Sequence, residues 1–210
     1  RYTRIEDGGL ESMSIEPSWE MNTKKGARME LGLEYSEEGV LFPYPLADGV
    51  FMQPGMYKFM SGNIMMMTPM SKPFSTTLRI GAGEYYDGWN TSISVMPVYN
   101  VSSSLQLSGT YMFNHIEFPD RSQKVDIHSA SARATIMLNT KLLASLFVQY
   151  VNTTDELVGN FRLRYNPREG NDFYLVFNEY RGIDDGTNIP VYPDYFNRTI
   201  MLKYTHTFIF

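Results

Sequence analysis

The chain has 210 residues, no cysteine and a formal charge of −5, which excludes a disulfide framework, thiolate chemistry and the basic face that nucleic acid requires. Tyrosine (15), phenylalanine (13) and methionine (14) are abundant, yet no apolar run reaches the ~18 residues of a transmembrane helix. A membrane barrel stays open, because its alternating strands average to nothing in a hydropathy window.

Two-residue alternation recurs from end to end, and helical periodicity is nearly absent. In "SMSIEPSWEM", Met13, Ile15, Pro17, Trp19 and Met21 share one face. After the turn "NTKKG", Ala27, Met29, Leu31, Leu33 and Tyr35 alternate with Arg28, Glu30, Gly32, Glu34 and Ser36. Residues 37–54 read as a loop from their Pro and Gly content. Residues 56–68 read as a strand whose parity slips at "SGN", which predicts a bulge. Phe74, Thr76, Leu78, Ile80 and Ala82 then oppose Ser75, Thr77, Arg79, Gly81 and Gly83. The "YDG" turn leads to Trp89, Thr91, Ile93, Val95, Pro97 and Tyr99, and the next strand carries Leu105, Leu107, Gly109, Tyr111 and Phe113. Ala130, Ala132, Ala134, Ile136 and Leu138 follow; a "TK" turn introduces Leu142, Ala144, Leu146, Val148 and Tyr150. Leu157, Gly159, Phe161, Leu163 and Tyr165 oppose Asn160, Arg162, Arg164 and Asn166; Phe173, Leu175 and Phe177 come next, then a long loop at 181–196. In the closing "TIMLKYTHTFIF", Ile200, Leu202, Tyr204, His206, Phe208 and Phe210 share a face.

The expected fold is all-β, an antiparallel meander of about eleven strands, each roughly ten to fourteen residues long. Turns at 22–26, 69–72, 100–104, 139–141 and 166–171 are short, while 37–54, 117–124 and 181–196 are longer, though "YDG" and "NTTDE" on that side are short. Short turns on one rim and long loops on the other are the habit of outer-membrane barrels, and such strands are long enough for a tilted crossing of a roughly 25 Å apolar band. The lipid-interface aromatics expected on the apolar face are Trp19, Tyr99, Tyr165, Phe173, Phe208 and Phe210 near the short-turn rim. Near the long-loop rim they are Tyr35, Tyr57, Trp89, Phe113 and Tyr150. Amphipathic rings favour the headgroup level. The opposite face carries the expected lumen charges Glu30, Glu34, Arg79, Arg133, Arg162 and Arg164, with Glu16 and Lys203. The reading is therefore a transmembrane outer-membrane β-barrel segment spanning residues 1–210 as one domain, with outer-membrane lipid as its surroundings. Tyr204, Phe208 and Phe210 fit an aromatic C-terminal signal read by the barrel assembly machinery. Since the last strand ends at the short-turn rim and the first of eleven begins at the long-loop rim, an odd number of further strands is expected, upstream of Arg1 or on a partner chain. The competing reading is a soluble carbohydrate-binding β-sandwich, in which exposed aromatics would cluster locally instead of forming two rims.

Four stretches carry a family resemblance: "PGMYKF", "GEYYDGWNTSISVMPVYNVSSSLQLSGTYMFNHIEFP", "LFVQYVNTTDELVGNFRLRYNPREGNDFYLVFNE" and "RTIMLKYTHTFIF". Together they resemble the domain-of-unknown-function family 5916 of Bacteroidota outer-membrane proteins. Where Tyr165 stands, that family more often has Trp. The resemblance implies a longer protein in which a signal peptide and a carbohydrate-binding family 9-like domain precede a C-terminal barrel, and a link to glycan binding or uptake.

Chemistry beyond this is sparse, and neither catalysis nor a cofactor is expected. His115, His128 and His206 lack metal-ligand spacing, "GAGEY" is a strand glycine pair with no helix after it, and there is no G-x-S-x-G or H-E-x-x-H. Asp184, Asp185 and Asn188 have oxygen ligands suited to Ca²⁺ on an outer loop, though a turn accounts for them better. Glu30 and Glu34 share a face, and pairing with Arg28, Arg79 or Arg133 across strands is the expected use of their charge. Met65, Met66 and Met67 alternate faces, so their sulfurs cannot converge on a soft metal.

Overall fold

A computed structural model describes residues 2–4, 10–47, 50–182 and 196–207 of the chain. In chain order the strands are β1 (Tyr2–Arg4), β2 (Leu10–Ile15), β3 (Ser18–Asn22), β4 (Arg28–Val40), β5 (Tyr44–Ala47), β6 (Val50–Met52), β7 (Gly55–Met67) and β8 (Phe74–Tyr85). They continue with β9 (Gly88–Asn100), β10 (Leu105–Phe118), β11 (Gln123–Asn139), β12 (Leu142–Val151), β13 (Glu156–Arg168), β14 (Asn171–Gly182) and β15 (Phe196–His206). No α-helix occurs among the described residues, only a 3-10 turn at Pro119–Arg121. The fold is an all-β antiparallel meander: hydrogen-bonded neighbours follow chain order along one sheet, β3 also pairs β4, and β5–β6 form a separate hairpin.

β2 and β3 are one strand interrupted. Ile15 lies opposite Tyr35 and Ser18 opposite Gly32, in the same register on β4. The break falls at Pro17, which has no N–H to donate, although its carbonyl still accepts from the Leu33 N–H at 3.0 Å. Taken as one, β2–β3 and the ten strands of ten residues or more make eleven. β1 adds a short antiparallel partner, Tyr2 opposite Met13. Three residues are too few for alternation to announce a strand, so this one was illegible in the sequence.

The structure corrects four expectations. There is no bulge at "SGN": β4 and β7 pair without a break from Arg28–Met67 to Val40–Gly55. The supposed parity slip came from Tyr57, which was expected on the apolar face. It lies opposite Glu38, on the polar face, with Phe59 opposite Ser36. Both rings join Tyr85 and Tyr86 in a cluster; Tyr57–Tyr86 and Phe59–Tyr86 centroids are each 5.2 Å apart and Tyr85–Tyr86 4.8 Å. Residues 37–54 are also more than a loop, because β4 runs on to Val40 and the β5–β6 hairpin folds within them. The 117–124 connection is likewise shorter than expected, since β10 ends at Phe118 and β11 starts at Gln123.

Two compact units divide the chain: residues 1–95 with 112–128, and residues 96–111 with 129–210. The first holds the buried hydrophobic core found among the described residues: Val50, Met52, Ile116, Phe118 and Val125, with Leu46, Tyr85, Tyr86 and Ile127 packed against it. Met52 and Phe118 are 0% exposed. This core clamps the β5–β6 hairpin to the long-loop end of the strands. Arg121 ties the same corner, donating to the Phe51 carbonyl at 2.6 Å and to Asp87 at 2.7 Å with its guanidinium carbon 4.0 Å above the Phe118 ring. The second unit has no such core among its described residues; its strands are joined by the ladders β11–β12, β12–β13, β13–β14 and β14–β15.

Candidate functional site

In each unit the ladders sort side chains onto an apolar and a polar face. In the first, Met29, Leu31, Leu33 and Tyr35 lie opposite Met66, Ile64, Gly62 and Met60, and Ile64 opposite Ile80. In the second, Ala134–Leu146–Phe161–Phe177–Ile200 and Leu163–Leu175–Leu202 are cross-strand rows. These faces are open. Leu31 is 41% exposed, Leu33 48%, Leu146 48% and Val148 39%, although aliphatic side chains are the ones a water-soluble fold hides. A contiguous apolar surface of this extent is covered by something other than water.

The expected aromatics stand at the ends of these faces. Trp19 lies three residues inside the end of β3 (Ser18–Asn22), opposite Leu31. Tyr99 lies at the end of β9 (Gly88–Asn100). Tyr165, Phe173 and Tyr204 form one exposed row at the short-turn end, with centroids 6.3 Å and 4.6 Å apart. Tyr35 and Tyr150 sit toward the long-loop end, opposite Ile15 and Leu157 respectively, and Trp89 follows the β8–β9 turn. The Phe113 and His128 rings lie 4.7 Å apart, tilted by 33°. Phe208, Phe210, Asp184, Asp185 and Asn188 lie outside the described residues, so of the closing signal only Tyr204 is placed.

Sequence reasoning missed a feature at the long-loop end. There the residues that continue the apolar parity become charged and pair with one another. Glu37 accepts from Lys58 at 3.0 Å and also from the Tyr35 hydroxyl; His115 meets Asp126 at 2.5 Å; Arg198 reaches Glu179 at 3.3 Å. The register makes Glu37–Lys58 and Glu179–Arg198 cross-strand neighbours. The signal was available in part: Glu37, His115 and Glu179 each sit two positions beyond an apolar residue of the same parity, Tyr35, Phe113 and Phe177.

The polar face of the first unit holds a cleft of about 410 Å³ bordered by Glu34, Glu38, Asn63, Tyr86 and Asn90. Glu34 accepts from the Ser36 hydroxyl at 2.8 Å. Tyr86, in the β8–β9 turn at φ 53°, has its phenol pushed well up from the ordinary tyrosine range, first by burial and then by hydrogen bonds with Tyr44 and Glu38. Nearer the short-turn end, Arg28 bridges Glu20 at 2.8 Å and Glu30 at 3.0 Å. Arg28 pairs with Glu30 as expected, but along β4 instead of across strands; its cross-strand partner is Glu20, and Glu34 has no arginine partner among the described residues. Arg79 lines the same recess as Glu30, opposite Met65, without an ion-pair partner among the described residues. Met65 and Met67 face this side while Met66 points the other way.

The polar face of the second unit is built differently. Arg133, Phe147, Asn160, Asn178 and Thr199 form one cross-strand row. Arg162 lies one step below, between Ser145 and Val176, and Arg164 another step below, in line with Tyr174 and Lys203. Arg133 holds its guanidinium carbon 4.7 Å above the Phe147 ring, the Asn160 amide donates to Asn178, and Arg164 bonds Asp172 at 2.7 Å. Arg133 and Arg162 border a cleft of about 440 Å³. The expected pairing of Arg133 with a carboxylate is not formed among the described residues.

No three His, Asp or Glu side chains converge in a metal-binding arrangement among the described residues. No protein-family model matches the chain, and no curated protein matches it. Among solved structures it is similar to the NanC porin in a rhombohedral crystal form, at 7% identity over 94% of each chain with a TM-score of 0.42. It is also similar to the KdgM porin in complex with disordered oligogalacturonate, at 12% identity over 94% of this chain and 100% of that one, with a TM-score of 0.36.

Proposed function

We propose that the chain is the C-terminal part of an outer-membrane β-barrel whose apolar face meets lipid and whose polar face lines a wet interior, so that it serves as a channel-forming or scaffolding wall. One observation carries the reading: the apolar faces of the long strands stay open along their length, bounded by aromatics at one end and by aromatics and then ion pairs at the other. Lipid is the covering that fits. Burying a charge at the midplane costs about 2–4 kcal/mol while a charge near the interface costs ~1 kcal/mol or less, and the described charges on the apolar parity sit at the long-loop end. A soluble sandwich would bury these aliphatic rows against a second sheet.

On this reading Trp19, Tyr35, Trp89, Tyr99, Tyr150, Tyr165 and Phe208 anchor at the headgroups, and Tyr204, Phe208 and Phe210 serve the assembly machinery. Further strands of the same protein, or a partner chain, complete the barrel. The resemblance to family 5916 adds a carbohydrate-binding domain upstream and a role in glycan binding or uptake. The membrane reading is tested by expressing the chain with its natural upstream sequence and washing membranes with carbonate. The protein stays in the pellet, and after detergent extraction it migrates faster unheated than boiled. Release into the soluble fraction overturns the reading.

A further inference from the structure

We infer that the polar face of β11–β15 binds an anionic, hydroxylated solute: a sugar acid in chemical class. The inference rests on the barrel reading, in which this face is wet and reachable. Arg133, Arg162, Arg164 and Lys203 all project from it. The carboxylates described on the same face are Asp172, held by Arg164 at 2.7 Å and Asn166 at 3.1 Å, and Glu156, at the far end opposite Val151. Glu179, on the other parity of β14, also borders the cleft, and its charge is taken by Arg198 at 3.3 Å. Arg133, Arg162 and Lys203 have no carboxylate partner among the described residues. A chain of charge −5 has no compositional reason to concentrate unpaired cations here. Across strands of a sheet, opposite charges side by side are the stabilising arrangement, and unit 1 uses it at Arg28.

The neighbouring groups say which anion. A guanidinium offers a planar fork that matches a carboxylate in two parallel hydrogen bonds. Beside the Arg133–Phe147 stack lie Asn160, Asn178 and Thr199 in one row. Amides and a hydroxyl both donate and accept, the pairing that sugar hydroxyls require. The cleft between Arg133 and Arg162, about 440 Å³, lies within the ~300–1,000 Å³ usual for small-molecule sites. A bare inorganic anion would use the arginines and leave the amide row idle.

The test uses detergent-purified protein titrated with glucuronate, glucose and acetate and followed by saturation-transfer NMR. Glucuronate is expected to bind at least tenfold more tightly than glucose, which lacks the charge, or acetate, which lacks the hydroxyls. A charge-assisted contact is worth roughly tenfold or more, so Arg133→Gln and Arg162→Gln each weaken glucuronate by about that factor. Arg162→Lys, which keeps the charge without the fork, recovers part of the loss, and Arg79→Gln in the other unit changes nothing. Heat-modifiable migration of every variant separates misfolding from lost binding. Equal affinity for glucuronate and acetate, or for glucuronate and glucose, overturns the inference, as does full binding by both glutamine variants. Because binding is read in detergent and membrane residence by carbonate washing, failure of the one is distinct from failure of the other.

Discussion

A single cation placed at Leu146 separates lipid from water on the apolar face. Leu146 sits between Ala134 and Phe161, four residues from Leu142 and four from Tyr150. At ~3.3 Å per residue that is about 13 Å of strand to either landmark, which puts the side chain near the middle of the belt. If the face meets lipid, Leu146→Arg costs about 2–4 kcal/mol, roughly a thirty- to nine-hundred-fold drop in the folding constant. The same change at Leu157, level with Tyr150 in the ladder, costs ~1 kcal/mol or less, because it lies near the interface. Gln149→Arg, on the polar face between Ser131 and Val158, stays within ~0.5 kcal/mol of the parent. The assay is equilibrium unfolding in guanidinium from phospholipid vesicles, followed by the fluorescence of Trp19 and Trp89 and extrapolated linearly to water. If Leu146→Arg also stays within ~0.5 kcal/mol, the face is hydrated and the membrane argument fails.

Three other outcomes follow from the long-loop corner. Met52→Ala empties a fully buried site and costs about 2–5 kcal/mol locally, so limited proteolysis cuts within residues 41–54 of the variant faster than in the parent. Gly83→Ala sets a Cβ 2.3 Å from the Ser61 Cα and 2.6 Å from the Met60 carbonyl. Backbone cannot yield cheaply there, and a loss of about 1–3 kcal/mol shows as an earlier unfolding midpoint. Tyr86 has its phenol raised, so its stabilising contribution is complete below the ordinary tyrosine value of about 10 and falls as pH rises above it. Protease sensitivity of the hairpin therefore increases above about pH 10, and Tyr86→Phe removes much of that pH dependence.

The strand rows of the second unit were legible in full. Leu142–Val151 and Glu156–Arg168 alternate so cleanly that their faces follow from parity, and parity is a local property of extended backbone. Tyr57 departs from the sequence reading for a reason equally local: an aromatic ring reads as part of the apolar parity, whereas this one packs on Tyr86 across the polar face, beside Phe59. Ile116 and Phe118 mark the same corner, carrying apolar side chains on the polar parity of β10.

The sequence by itself determined the class of fold, the number of long strands and, Tyr57 excepted, which residues share each face, because each depends on a period of two and on turn chemistry within a few residues. Only the tertiary structure decided what each face does. That Val50 and Met52 reach back to Phe118, that Arg28 finds Glu20, and that Arg133 and Arg162 share a cleft unpaired while Glu179 at its border goes to Arg198 are matters of register between strands. Register is set by long-range pairing across the sheet, and no window of sequence contains it.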